Sequence, residues 1–251
     1  MVKLLILGSS CLVATEEKRP THLAFLGAER GLLVDCGVSP RGRLEQLGIG
    51  RDAIDDIFIT HFHPDHAAGL PLYLMELWLR GRTKPLTVHA GEVCLDRIRQ
   101  LLDLYEWHQG PGLFPVHFQS VQYAPDAAVL DNTEFRVRAC PVRHLVPTMA
   151  VRVECARAGK SVVFSSDTEP SRELVHLAKG ADILLHEATG SGIGHSSAAQ
   201  AGEAARKAGV RRLILIHYDP YVDPVALVSA ARAVFKGSVD AAVDRMEILI
   251  G

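Results

Sequence analysis

The sequence predicts an α/β (α+β) protein formed by a single domain over residues 1–251. Strand-length apolar runs bounded by turn residues recur along the chain, and amphipathic helical patterns lie between several of them. A length of 251 residues allows one large core, and 48% hydrophobic with 22% charged residues is the composition of an ordinary globular protein. Disordered, collagen-like and disulfide-scaffold classes are therefore excluded.

The predicted strands are short and rich in Val, Ile and Leu, which favour extended backbone. The first is LLILG; a signal peptide would need a longer apolar run than this one, which Gly8-Ser9-Ser10 interrupts. The others, in chain order, are THLAFL, GLLVDCG, IDDIFIT, PLTVHA, FRVRAC, MAVRVE, SVVFSS, DILLHE, RRLILIH and MEILI. None of these runs is long enough to cross a bilayer.

Helical periodicity predicts helices at 67–80, 91–105, 170–179, 196–208 and 223–235. The fourth is the best delimited, because Ser197 and Gln200 fit a capping box and Gly209 stands at the C-terminal glycine position. Residues 106–132, which contain a Gly-Pro-Gly turn, are predicted to be a surface connection between two halves of the domain.

The charge balance and the cysteines limit the function classes. The net charge of −2 provides no overall attraction to nucleic acid or to an anionic membrane, so a membrane partner is not expected and a large RNA partner is disfavoured. The five cysteines are odd in number and scattered, without a C-x-x-C motif, which is typical of reduced thiols in a cytoplasmic protein.

The strongest functional signal is the run His61-Phe62-His63-Pro64-Asp65-His66, which directly follows the predicted strand IDDIFIT. Imidazoles and a carboxylate on one tight loop are the ligands that a divalent metal of borderline softness prefers. The run therefore predicts a metal site at the end of this strand.

Further candidate ligands occur at equivalent places. His144 follows the strand FRVRAC, Asp167 follows SVVFSS, and His217 ends RRLILIH. Strand ends of a packed sheet meet at one edge of the molecule, so ligands placed there converge although they are far apart in sequence.

These residues resemble the metallo-β-lactamase superfamily, and within it the tRNase Z-like phosphodiesterases. The matching segments are LLILGSS, LLVDCG, FITHFHPDHAAGLP, SSDT, DILLHEAT and GHSSAAQAGEAARKAGVRRLILIHYDP, together with His144. The resemblance implies a four-layer αββα sandwich of two similar halves with a two-metal site at one end.

The resemblance also implies roles for the individual residues. His61, His63 and His144 would hold one metal ion, Asp65, His66 and His217 the other, and Asp167 would bridge both. A hydroxide between two ions, zinc first and manganese or iron as alternatives, would be the nucleophile. His195 would contact the scissile phosphate and protonate the leaving oxygen, with Glu187 as its partner, so Asp65, Glu187 and His195 are the catalytic candidates. The predicted helix N-terminus after His195 would favour the same anion.

The sequence departs from the tRNase Z pattern in two places. Residues 145–166 between His144 and Asp167 leave no room for the long tRNA-binding arm, and the loop DCGVSPRGRL lacks the usual acidic and Gln-containing sequence. We therefore expect a small, cyclic or nucleotidic phosphodiester as substrate, with tRNA 3′-end cleavage as the alternative. A homodimer is compatible with such a fold.

Three other functions remain open from the sequence. The same metal pair could hydrolyse a carbon ester, lactone or β-lactam. A di-iron oxidoreductase is disfavoured by His63, and a non-catalytic binding protein is disfavoured by the full set of candidate ligands.

Arg80, Arg82 and Lys84 form a basic cluster, which we expect to be a solvated face of the protein. Histidines outside the motifs are expected to be surface or hydrogen-bonded residues, namely His22, His89, His108, His117 and His176.

Overall fold

The computed structural model describes residues 2–107 and 110–251, and two seven-stranded mixed sheets form its centre. The first sheet contains β1 (Val2–Gly8), β2 (His22–Leu26), β3 (Gly31–Val34), β4 (Asp56–Ile59), β5 (Leu86–Gly91), β6 (Val116–Val121) and β14 (Met246–Ile250). The second contains β7 (Ala127–Asp131), β8 (Phe135–Val142), β9 (Thr148–Cys155), β10 (Lys160–Phe164), β11 (Ile183–Glu187), β12 (Arg212–Ile216) and β13 (Ser238–Ala241).

The two sheets have equivalent topologies. The first runs in the order β14-β1-β2-β3-β4-β5-β6 and the second in the order β7-β8-β9-β10-β11-β12-β13. In each order the first three pairings are antiparallel and the last three are parallel. This repetition is the internal similarity of two halves that the sequence resemblance implied.

Helices cover the outer face of each sheet. They are α1 (Arg41–Gln46), α2 (Pro64–Ala67), α3 (Leu70–Leu79), α4 (Glu92–Leu104), α5 (Arg172–Leu177), α6 (Ala198–Ala208) and α7 (Pro224–Val234). One apolar core lies between the sheets, a second under α3 and α4, and a third under α5 to α7. The predicted α/β class and the four-layer αββα arrangement are therefore confirmed.

Strand β1 shows why the apolar runs are continuous rather than alternating. Leu4 and Ile6 pack in the core between the sheets, while Leu5 and Leu7 pack under the helices on the other face. Successive side chains of a strand point to opposite faces, so a strand covered on both faces requires apolar residues at every position.

The strands that the sequence analysis missed all lie at sheet edges. β6 and β7 both lie within the stretch predicted as a surface connection at 106–132, and β13 follows α7. His108 and Gln109 of that stretch lie outside the described residues. In β6 most side chains are exposed or half-buried. The side chains of an edge strand are covered by fewer neighbouring elements and are less buried. The sequences of edge strands therefore lack the continuous apolar runs of central strands.

Helix boundaries differ from prediction mainly near the motif loop. The helix expected at 67–80 is observed as α3, which begins after Gly69, whereas α2 and α1 were not predicted. A Cβ on Gly69 would lie 2.3 Å from the backbone of Val38. Glycine therefore allows the chain after β3 to pass close to the chain between α2 and α3.

Two residues of the basic cluster, Arg80 and Lys84, are exposed as expected, but the expectation for Arg82 was wrong. Arg82 is only 1% exposed, and its guanidinium donates hydrogen bonds to the carbonyl oxygens of Lys84, Arg51 and Pro85. The buried Arg82 guanidinium thereby connects the turn between α3 and β5 with the segment that precedes β4.

Replacing Arg82 by methionine should lower the free energy of unfolding by about 3 kcal/mol, because three hydrogen bonds of a buried guanidinium, each contributing about 1 kcal/mol, are lost. Urea unfolding followed by circular dichroism would measure the change. Arg80→Met is the matched control, with an expected change below about 0.5 kcal/mol at an exposed site. Equal stability of the two variants would contradict this role of Arg82.

Two further sequence expectations concern helices and thiols. Within the described ranges, the structure contains no helix that is both long and apolar enough to span a membrane. All five cysteines lie in described residues, and each is a buried free thiol, as expected.

Candidate metal centre

The residues of the motif loop and the three distant candidates meet at one edge of the sandwich. His61, His63, Asp65 and His66 follow β4, and His144, Asp167 and His217 follow β8, β10 and β12. These strands all end at the edge where their donor atoms come together. The convergence expected from the positions at strand ends is therefore present.

One donor group is formed by His61, His63, His144 and Asp167, whose donor atoms lie within 4.8 Å of one another. His63 Nδ1 is 3.1 Å from both His61 Nε2 and His144 Nε2. Asp167 Oδ2 is 3.8 Å from each of the same two Nε2 atoms. Three ring nitrogens and one carboxylate oxygen thus surround one point.

The second donor group contains Asp65, His66 and His217. His217 Nε2 lies 3.3 Å from both His66 Nε2 and Asp65 Oδ2. Asp167 reaches this group as well, because its Oδ1 is 3.4 Å from His217 Nε2 and its Oδ2 is 3.5 Å from His66 Nε2. Asp167 is therefore shared between the two groups.

The donor sets fit divalent metal ions. Four ligands at the Zn–N distance of about 2.0–2.1 Å stand about 3.3 Å apart in a tetrahedron, which is close to the separations of these donors. Burial lowers the pKa of His61, His63 and His144, so these rings are neutral and can offer lone pairs. Asp167 Oδ1 is buried and has no hydrogen-bond partner among the described residues, as expected for a ligand atom.

Charge also distinguishes the shared carboxylate. Burial would raise the pKa of Asp167, but the neighbouring His217 and His66 rings outweigh this effect and hold the pKa well below its ordinary value. Asp167 is therefore ionised, and its negative charge lies between the two groups of imidazoles.

Hydrogen bonds on the outer side of the rings determine which nitrogen points inward. The partners are Thr60 Oγ1 at 3.0 Å from His61 Nδ1, Asp35 Oδ2 at 2.7 Å from His66 Nδ1, Gly194 O at 2.7 Å from His144 Nδ1 and Thr189 Oγ1 at 2.9 Å from His217 Nδ1. Each contact leaves Nε2 free for the centre, which fixes ring orientation and raises ligand basicity.

The sequence analysis did not identify these supporting residues. Asp35 lies in the segment LLVDCG directly after β3, with φ of 64°, and its carboxylate also accepts hydrogen bonds from Thr60. The next glycine, Gly37, lies so close to the motif loop that a Cβ would be 1.7 Å from the carbonyl oxygen of Asp65. An acidic residue and a glycine directly after a buried strand were the available signal.

His195 and Glu187 form the pair that the resemblance implied. His195 Nδ1 donates to Glu187 Oε1 over 3.1 Å, and the His195 ring stands 5.0 Å from that of His144 and 6.0 Å from that of His217. The hydrogen bond to Glu187 raises the pKa of His195, against the opposing effect of burial. The pair thus places an imidazole with a raised pKa beside both donor groups.

Glu187 has a second role that the sequence did not indicate. Its buried carboxylate accepts the backbone N–H groups of Thr168, Ser196 and Thr189 over 3.2, 2.8 and 2.9 Å. It therefore connects the segment after Asp167 with the loop that carries His195.

The helix end after His195 is less open to an anion than expected. Helix α6 starts at Ala198, and its predicted capping box and C-terminal glycine are present. The N–H groups of Ser196 and Ser197 donate to Glu187 and Gln200, so the chain's own acceptors use them. His195 itself remains the donor that faces the centre.

The other histidines follow expectation where the structure describes them. His22 and His89 are buried and bonded to Pro20 O and Asp56 Oδ1, and His117 and His176 are exposed. The fifth, His108, lies outside the described residues.

A cleft of about 680 Å³ lies on the outer face of the second sheet, away from the metal donors. Arginines in its lining form ion pairs with neighbouring acidic residues, such as Arg138 with Asp126 and Arg152 with Glu154.

Known proteins share this fold and are similar in sequence over most of the chain. A family model described as a β-lactamase superfamily domain matches residues 30–218. Ribonuclease Z of Methanothermobacter thermautotrophicus is 28% identical, and the alignment covers 94% of this chain and 92% of that protein. Ribonuclease Z of Brevibacillus brevis is 30% identical, and the alignment covers 79% of this chain and 78% of that protein. The crystal structure of the metallo-β-lactamase fold protein YhfI from Bacillus subtilis superposes with a TM-score of 0.84 at 20% identity, covering 98% of each chain.

Proposed function

Because the chain belongs to the β-lactamase superfamily and to its ribonuclease Z-like branch, we propose that it cleaves a small or nucleotidic phosphodiester at a two-metal centre. As a member of this branch it is a metal-dependent phosphodiester hydrolase. The position of the His195–Glu187 pair beside the two donor groups is the observation that supports placing this activity at the candidate metal centre. We treat residues 1–251 as one domain, since both halves contribute to the centre.

The proposed ligands follow the two donor groups. His61, His63 and His144 hold one ion, Asp65, His66 and His217 hold the other, and Asp167 contributes to both. We propose zinc, because three or four imidazole and carboxylate donors at these separations suit its tetrahedral preference. When bound, two such ions polarise the phosphoryl oxygens and make a water molecule nucleophilic near neutral pH.

The chain's own residues then supply positioning and proton transfer. Asp65 lies at the centre, where its Oδ2 is 3.3 Å from His217 Nε2 and would bind the metal ion, so that the other carboxylate oxygen can accept a proton from the attacking water. Glu187 raises the pKa of His195 and so favours the protonated imidazole, which can donate a proton to the leaving oxygen. Glu187 holds the imidazole in the orientation in which Nδ1 faces away from the substrate.

The second sheet supports a small substrate. Strands β9 and β10, with a short turn, account for almost all residues between His144 and Asp167. A tRNA-gripping arm cannot arise from this segment, which supports a small, cyclic or single-stranded substrate. Similarity to ribonuclease Z over nearly the whole chain favours tRNA 3′-end cleavage as the second candidate. The five buried free thiols support a reducing, cytoplasmic setting for either function.

The protein reconstituted with zinc or manganese should hydrolyse bis(4-nitrophenyl) phosphate faster than 4-nitrophenyl acetate, and a chelator should abolish the activity. Release of 4-nitrophenolate measures both reactions with the same leaving group. A chelator-sensitive preference for the acetate would move the function to carbonyl chemistry. Cleavage of a precursor tRNA under the same metal conditions, followed by gel electrophoresis, separates the two candidate substrates.

A further inference from the structure

A second cavity opens at the same edge of the sandwich as the metal donors. It has a volume of about 370 Å³ and lies between the carboxyl ends of β5 and β6 and the start of β9. We call it the side cavity. Its volume falls in the range of small-ligand sites, about 300–1,000 Å³.

The side cavity shares a wall with the centre. Thr60, which lines it, directly precedes His61, and Pro147, also in its lining, follows His144 by three positions. The N–H of Met149 donates to Thr60 O over 3.1 Å and joins the two sheets at this wall. A group bound in the cavity is therefore adjacent to the half of the centre formed by His61, His63 and His144.

The residues that line the side cavity indicate which kind of ligand it can bind. Cys94, Val121 and Met149 are buried apolar side chains of the lining, and Tyr123 stands at the mouth with 51% of its surface exposed. The single charged side chain in the lining is Glu92, a carboxylate, which repels a second phosphate or any other anion. The lining suits a flat, uncharged group that presents N–H donors.

We propose that the side cavity binds a nucleobase of the substrate, stacked on Tyr123 and hydrogen-bonded to Glu92. This inference rests on the proposed function, since the base must be attached to the phosphodiester held at the centre. A carboxylate has two acceptor oxygens and matches two adjacent donors of guanine, whereas adenine and cytosine present one amino group beside an acceptor on the same edge. Guanine is therefore the preferred base.

Hydrolysis of the 4-nitrophenyl esters of guanosine and adenosine 5′-monophosphate, compared with methyl 4-nitrophenyl phosphate, tests the side cavity. Tyr123→Ala should lower kcat/KM for the guanosine ester about fivefold to a hundredfold, the range for loss of one stacked base. It should leave the methyl ester unchanged. Glu92→Gln should reduce the preference for guanosine over adenosine. Tyr105→Ala, an exposed tyrosine at the opposite end of α4, is the matched control and should change neither ester.

A filling variant tests the same space from another position. A Cβ on Gly91 would lie 3.6 Å from Met149 Sδ, and the backbone angles of Gly91, φ −59° and ψ 147°, suit any residue. Gly91→Leu should therefore occupy the cavity and raise KM for the guanosine ester about tenfold or more, with the methyl ester again unaffected.

Calorimetric titration of the metal-loaded protein provides a readout independent of turnover. Guanosine 5′-monophosphate should bind more tightly than inorganic phosphate, and Tyr123→Ala should remove that difference. Equal affinities, or equal behaviour of wild type and all cavity variants, would overturn the nucleobase site. Failure of the protein to hydrolyse even the methyl ester would contradict the proposed function instead, and the titration would still decide on the cavity.

Discussion

Replacing Asp167 by alanine is expected to prevent tight binding of both metal ions and to lower phosphodiesterase activity at least about a thousandfold. The reason is its position between the donor groups. Its Oδ2 is 3.8 Å from His61 and His144 Nε2, and its Oδ1 is 3.4 Å from His217 Nε2. Without this carboxylate, five neighbouring imidazoles would surround two dications with one fewer negative charge between them.

Metal content after dialysis, measured by elemental mass spectrometry, checks this result directly. Thermal unfolding gives a second measurement, because a ligand that binds only the folded state raises the melting temperature. Zinc should raise the melting temperature of the wild type and have little effect on Asp167→Ala. Asp240→Ala, which removes the partner of Arg212 at 2.8 Å, controls for the loss of a carboxylate. Two tightly held ions in Asp167→Ala would overturn its assignment as the shared ligand.

The positions of the metal donors could be predicted because they depend on local sequence alone. Each donor follows a buried apolar strand, and the end of such a strand is readable from where the apolar run stops. His217, for example, comes directly after the run RLILI of β12. The capping box of α6 was equally readable, because Ser197 and Gln200 act within one helical turn.

Features that depend on contacts between distant segments could not be predicted. Asp35 supports His66 across 31 positions, and Gly194 supports His144 across 50 positions, over 2.7 Å in both cases. Arg82 appeared to belong to a charged surface, yet three carbonyl groups surround its guanidinium. Whether a polar group is buried depends on segments that are distant in sequence. A single stretch of sequence therefore does not indicate it.

His195→Ala should lower hydrolysis of the phenyl ester of thymidine 5′-monophosphate about a hundredfold, the usual scale for a general acid. The effect on the 4-nitrophenyl ester should be less than about tenfold, because 4-nitrophenolate is a stable leaving group that needs little protonation. Metal content should stay the same, since His195 is not among the proposed ligands. Equal losses on both esters would show that His195 does not act as the acid.

The pH profile separates the roles of His195 and Glu187. The acid must be protonated, so the rate on the phenyl ester holds at pH values below the pKa of His195 and falls above it. The hydrogen bond to Glu187 raises that pKa, and Glu187→Gln removes the negative charge, so the fall should begin at lower pH in this variant. Because Thr189 N–H loses its acceptor if the amide nitrogen replaces Oε2, unfolding must be measured in parallel. An unshifted pH profile in a stably folded Glu187→Gln protein would mean that Glu187 supports the loop but does not raise the pKa of His195.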